Sequence, residues 1–127
     1  MPFEVFDRGS VPRTEELQIS IQKSGVIAFN HAAFIALGEP TAAELLFDRE
    51  ARIIGIRPSD PSVKTAIRVR SNHRGTTHML AGQRFTRYCG IPTDVARRWT
   101  ATIRDGVLCV DLKEPGEEIG SRGRLIV

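Results

Sequence analysis

Residues 64–104 concentrate side chains able to hold a polyanion. This 41-residue block carries nine Lys/Arg (Lys64, Arg68, Arg70, Arg74, Arg84, Arg87, Arg97, Arg98 and Arg104) against one acid, Asp94, for a net +8. The flanking blocks are acidic, −3 over residues 1–63 and −2 over 105–127, so the formal net charge of +3 hides the asymmetry. A guanidinium stays charged and presents a planar fork of donors, which suits phosphate oxygens and the acceptor edge of guanine. Arg84 and Arg87 are three apart, which on a helix puts them on one face. Arg68 and Arg70 are two apart, which on a strand does the same. Arg74 falls among turn residues, and Arg97 and Arg98 adjoin Trp99. Arg68, Arg70, Arg74, Arg84, Arg87, Arg97 and Arg98 are therefore the candidate nucleic-acid-binding residues. Most would contact phosphates, giving salt-dependent affinity with little choice of sequence. The competing reading is a set of arginines spread over several faces that only keeps the protein in solution.

Other chemistries find less support. His73, His78, Cys89 and Cys109 are metal-ligating types, but their spacing matches none of the paired patterns of zinc sites. Nucleophilic catalysis needs a Ser or Cys beside a base held by a third group, and no nucleophile-elbow glycine motif or flanking carboxylate pair is present. His31 falls at a predicted helix start and reads as structural. Gly120-Ser121-Arg122-Gly123 lacks the strand–loop–helix setting of a phosphate loop. The expectation is a non-enzymatic protein with no catalytic residues, no cofactor and no metal. Trp99 beside Arg97 and Arg98 has the composition of a stacking platform for single strands, though a lone tryptophan more often anchors a core. Tyr88 bears the same question. Phe29, Phe34, Phe47 and Phe85 are assigned to the core.

These residues must be positioned by short elements. Leu17, Ile19 and Ile21 alternate with Gln18, Ser20 and Gln22, predicting a half-buried strand. Ser24-Gly25 is a turn, and Val26–Phe29 a second strand. Asn30 is an N-cap for a short helix over His31–Leu37, which Gly38 and Pro40 end. Thr41–Glu44 resembles a capping box, but the β-branched run at Ile53, Ile54 and Ile56 favours a hairpin: Glu44–Phe47, a turn at 48–51, then Arg52–Arg57. Residues 58–62 read as a linker. The order then recurs, with a strand over Ala66–Arg70, a turn at 71–75, a strand over Thr76–Ala81, a helix over Gln83–Cys89 ended by Gly90, and a hairpin of Arg98–Ile103 and Val107–Leu112 around Asp105-Gly106. Gly38-Glu39-Pro40-Thr41 recurs 52 residues later as Gly90-Ile91-Pro92-Thr93. The predicted fold class is α+β, two strand–strand–helix–strand–strand units (17–58 and 66–112) in one domain over 17–112. Residues 1–16 read as an N-terminal arm and 113–127 as a flexible C-terminal tail.

The stretch Leu17–Pro58 resembles the AbrB/MraZ/MazE-like swapped-hairpin DNA-binding domains. The matching residues are Lys23-Ser24-Gly25, Ile27 and Phe29, Asn30, Leu37-Gly38, and Asp48 to Ile56. Two copies in one chain look most like the MraZ arrangement. The resemblance implies a tandem repeat forming a small swapped-hairpin barrel, with duplex DNA as partner and transcription regulation as role. It departs from the family after Gly25, where Val26 stands, and on the first helix, where Phe34 and Ile35 replace basic residues. Contact with DNA is therefore expected from a basic face on the second half.

Bulk properties bound the rest. Apolar residues are 41% and charged residues 26% of the 127, a globular balance. No apolar run approaches the roughly 20 residues of a membrane span, and the N-terminus lacks a secretory pattern, so a cytoplasmic location is expected. Cys89 and Cys109 are expected as reduced thiols. The functional expectation is a DNA-binding, transcription-regulator-like protein, with homo-oligomerisation open and no membrane partner. Two alternatives stand beside it. One is a protein–protein interaction module, antitoxin-like or a phage or mobile-element accessory protein. The other is a Whirly-like single-stranded nucleic-acid binder.

Overall fold

The computed structural model describes residues 16–119. The chain begins with a hairpin, β1 (Gln18–Ile21) and β2 (Ile27–Asn30), whose alternation buries Ile19, Ile21, Ile27 and Phe29. Asn30 caps α1 (His31–Ala36), its side chain accepting from the Ala33 amide at 3.1 Å. A second hairpin follows, β3 (Ala42–Asp48) and β4 (Ile53–Ser59), paired from Ala42↔Ser59 to Asp48↔Ile53. The β-branched run at 53–56 thus overrides the capping-box signal at Thr41–Glu44, because a strand buries Ile54 and Ile56 completely.

Residues 60–66 turn the chain into β5 (Ile67–Arg68) and β6 (Arg70–Ser71), then β7 (Thr77–Leu80). The helix α2 (Gln83–Cys89) ends at Gly90 in the left-handed conformation, φ 69°. The last elements are β8 (Arg97–Thr100), β9 (Thr102–Arg104), β10 (Val107–Asp111) and β11 (Glu117–Glu118).

Two antiparallel sheets result, one of six strands in the order β11-β8-β1-β2-β7-β6 and one of five in the order β5-β3-β4-β10-β9. They face each other over a core of Ile19, Ile21, Ile27, Phe29 and Leu80 from the first and Ile54, Ile56, Leu108 and Val110 from the second. The chain passes between sheets at Val69, whose amide donates to Thr41 O at 2.9 Å, and at Ala101, whose amide donates to Leu17 O at 2.7 Å.

This architecture corrects the α+β reading of tandem ββαββ units closed into a swapped-hairpin barrel. Strands hold 42% and helices 12% of the described residues, and the two sheets do not close into a barrel. The helices, of 6 and 7 residues, are too short to form a layer of their own. Nor is either half a structural unit, because each sheet takes strands from both: β2 pairs with β7, and β4 with β10. Local hydrophobic patterning reveals that a strand exists and which face is apolar, but not which strand pairs with it.

Residues 113–119, expected as the start of a flexible tail, are instead attached to β8. Glu117↔Arg98 and Glu118↔Arg97 pair, and Ile119 donates its amide to Ala96 O at 2.9 Å. The remainder of that expected tail, 120–127, and residues 1–15 of the expected arm lie outside the described residues. Gly116 has φ 58°, and a Cβ there would lie 2.6 Å from the Trp99 ring. Gly116→Ala is expected to lower stability by about 1–3 kcal/mol, from backbone strain together with displacement of the indole. Urea unfolding followed by the emission of Trp99, the single tryptophan, checks both the loss and a red shift of the native spectrum.

Candidate nucleic-acid interface

The start of α2 is set by two glycines. Gly82 lies so close to β2 that a Cβ would meet Ile27 Cδ1 at 2.8 Å, and Gly25, φ 92°, would meet Gln83 Cα at 3.0 Å. The β1–β2 turn is therefore packed beneath the first turn of the helix. From there the helical period buries Thr86 and Cys89, half-buries Phe85, and turns Arg84, Arg87 and Tyr88 outward. Thr86 satisfies its buried hydroxyl by donating to Gln83 O at 3.0 Å. Burial pushes the Cys89 thiol up, against the opposing influence of Arg49 and Arg52, so it stays protonated. Both cysteines are free of disulfides.

The β3–β4 turn adds two arginines that the charge pattern concealed. The Arg49 guanidinium lies 5.2 Å from the Tyr88 ring centroid and 5.3 Å from that of Phe47, while Arg52 lies 5.4 Å from Phe47. Phe47 meets Phe85 edge-on at 6.2 Å, tying the turn to α2. Arg52 adopts a left-handed conformation, φ 58°. It is held there by Leu112, whose amide donates to Arg52 O at 2.8 Å, and by its own guanidinium, which donates to Cys89 O at 3.3 Å.

Of the seven candidates from sequence, Arg84 and Arg87 share the outward face of α2 as expected from their spacing. They rim an open groove of about 810 Å³ between α2 and residues 65–67, with Leu45, Ile67 and Phe85 among its lining. Arg68, Arg70 and Arg74 are exposed along β5, β6 and the β6–β7 turn. Arg68 and Arg70 do not share one ladder, because the chain changes sheets between them. Arg97 and Arg98 are already engaged, with Asp94 at 3.3 Å and Glu117 at 2.8 Å. By contrast, among the described residues no carboxylate lies within ion-pair distance of Arg49, Arg52, Arg84 or Arg87. Glu44, linked to the groove rim through Thr65, is taken by Arg57 at 2.7 Å. Those two contacts, Thr65 first, hold its carboxyl below the usual range.

Trp99 is 9% exposed, and its indole N–H donates to Glu114 O at 3.0 Å, which makes it a core residue. Among the described residues the exposed aromatic is Tyr88, at 77%. In the sequence Arg49 and Arg52 are masked by the net acidic block to which they belong. Their position on a hairpin turn was readable, but not the approach of that turn to α2.

A second polar cluster lies on β7 and α1. His78, 2% exposed, places Nε2 at 3.0 Å from His31 Nδ1 and Nδ1 at 2.7 Å from Ser71 Oγ. Phe34 stacks on its ring at 3.7 Å. Among the described residues no group of three or more His, Cys, Asp or Glu is placed to hold a metal ion, and no helix is long and apolar enough to cross a membrane. No protein-family model, curated protein or solved structure matches the chain. The AbrB/MraZ/MazE-like resemblance thus remains a pattern of residues.

Burial, then the neighbouring His31, holds His78 below its ordinary value of 6.5, against hydrogen bonding to the Gly75 backbone. The unfolded chain therefore binds this proton more readily than the native one. Its contribution to stability is complete above about pH 7 and falls as pH drops through 6.5 toward the lowered native value, by up to about 1.4 kcal/mol per pH unit. Urea unfolding between about pH 5 and 8 should show this slope, and His78→Gln should flatten it.

Proposed function

We propose that the protein binds nucleic acid through the surface formed by α2 and the β3–β4 turn, in the manner of a DNA-binding regulator and without catalysis. The observation that carries this reading is the set Arg49, Arg52, Arg84 and Arg87, which comes from two neighbouring elements and has no carboxylate within ion-pair distance among the described residues. Asp48 and Glu50 on the same turn offset the charge of Arg49 and Arg52, so the net positive charge of this surface comes from Arg84 and Arg87 on α2, which carries no acidic residue, and such charge attracts phosphates. Arg84 and Arg87, a turn apart, are spaced to contact a backbone or a base edge. Arg68, Arg70 and Arg74 would extend the field along the β5–β6 edge. Arg97 and Arg98 are assigned a structural role, since ion pairs with Asp94 and Glu117 occupy them.

A protein-docking module would expose a continuous apolar patch. Among the described residues only Val63 and Tyr88 are large hydrophobics left exposed, which favours the nucleic-acid reading. A cytoplasmic location is part of the same proposal.

Anisotropy of a labelled mixed-sequence duplex, titrated between about 50 and 200 mM salt, tests it. Binding should weaken steeply with salt. Arg84→Ala/Arg87→Ala should weaken it further and reduce the slope of log K against log salt by about 2, whereas Arg97→Ala should change the slope by less than about 1. Absence of binding at the lowest salt by both this duplex and a single strand, or equal losses in both variants, overturns the reading.

A further inference from the structure

We infer that the face of α2 takes an unpaired nucleic-acid strand, one base stacking on Tyr88 while Arg84 and Arg87 hold the flanking phosphates. This rests on the nucleic-acid reading above and names the form of nucleic acid. Tyr88 spends no hydrophobic surface on the core, since it is 77% exposed while the remaining described aromatics, Phe29, Phe34, Phe47, Phe85 and Trp99, are buried or half-buried. Its ring is nevertheless placed, because Arg49 lies 5.2 Å from its centroid and is itself anchored over Phe47 at 5.3 Å. A cation against one side of the ring orients it and leaves open surface for a second planar partner. Arg84 stands one turn before Tyr88 on the same face and Arg87 adjoins it, so charge and stacking surface are contiguous.

The groove beside them supplies the second requirement. Its lining includes Leu45, Ile67 and Phe85, with Arg84, Arg87 and Gln83 among the bordering polar side chains. Apolar walls next to phosphate-binding groups suit a base turned away from its strand. In a duplex the faces of the bases are covered by their neighbours, so Tyr88 would have nothing to stack on. An acidic peptide would use the arginines but gives the exposed ring no role.

Labelled oligothymidine and a mixed-sequence duplex, each about 20 nucleotides long, are titrated against the intact protein at the same salt. Oligothymidine should bind more tightly than the duplex. Tyr88→Ala should weaken the single strand at least about fivefold and leave the duplex within about twofold, and Tyr88→Phe should restore single-strand affinity. Unchanged Trp99 emission in each variant confirms the fold. If Tyr88→Ala changes neither probe while Arg84→Ala/Arg87→Ala weakens both, the stacking inference falls and the nucleic-acid reading stands. If neither probe binds at the lowest salt, both fall. Displacement of oligothymidine by an equal charge concentration of poly-glutamate overturns the inference in favour of an acidic protein partner.

Discussion

The antiparallel register of β2 against β7, with Ile27 opposite Leu80 and Phe29 opposite His78, sets the positions on which the rest of the molecule depends. It joins strands separated by some fifty residues and makes one sheet from the two halves of the chain. Two residues beyond Leu80 the chain reaches Gly82, directly over Ile27 and against the Gly25 carbonyl, where no side chain fits. The launch point of α2, and with it the direction of Arg84, Arg87 and Tyr88, follows from that pairing. A slip of one residue would carry Leu80 out of the core and His78 out of its contact with His31 and Ser71.

The second sheet contributes the other side of the proposed interface. Pairing of β3 with β4 ends at Asp48↔Ile53, so the intervening turn projects from the sheet end, and the left-handed Arg52 bends its exit back toward the C-terminus of α2. The hydrogen bond that the Arg52 guanidinium donates to Cys89 O and the Phe47–Phe85 contact join turn and helix into one surface. Ion pairing sorts the remaining arginines. On β8, Arg98 pairs with Glu117 and helps attach residues 113–119, which in turn cover Trp99, and Arg97 pairs with Asp94, while those on α2 are left to solvent.

His78 is, with Thr86, one of two buried polar side chains among the described residues, and the exposed His31 and Ser71 partner it at the surface. A buried imidazole is tolerated there because both of its nitrogens are partnered and Phe34 covers its ring. The arrangement links α1, β6 and β7 at one edge of the six-stranded sheet, where β6 is only two residues long.

The elements themselves were largely legible in the chain. Alternation marked β1, Asp105-Gly106 marked the turn into β10, Asn30 marked the start of α1 and Gly90 the end of α2, and the β-branched run at 53–56 marked a hairpin where the capping-box motif suggested a helix. The outward face shared by Arg84 and Arg87 was legible too, since it depends only on helical period. Local sequence could not reveal that Val69 and Ala101 carry the chain from one sheet to the other, separating Arg68 from Arg70, nor that the halves combine into two open sheets instead of a closed swapped-hairpin barrel. Strand pairing is chosen by the total apolar surface buried over the whole chain, and each strand presents the same edge groups to many partners. For the same reason the acidic first half concealed Arg49 and Arg52. Whether an arginine is neutralised depends on which carboxylate lies within reach in space, and only the tertiary structure decided that.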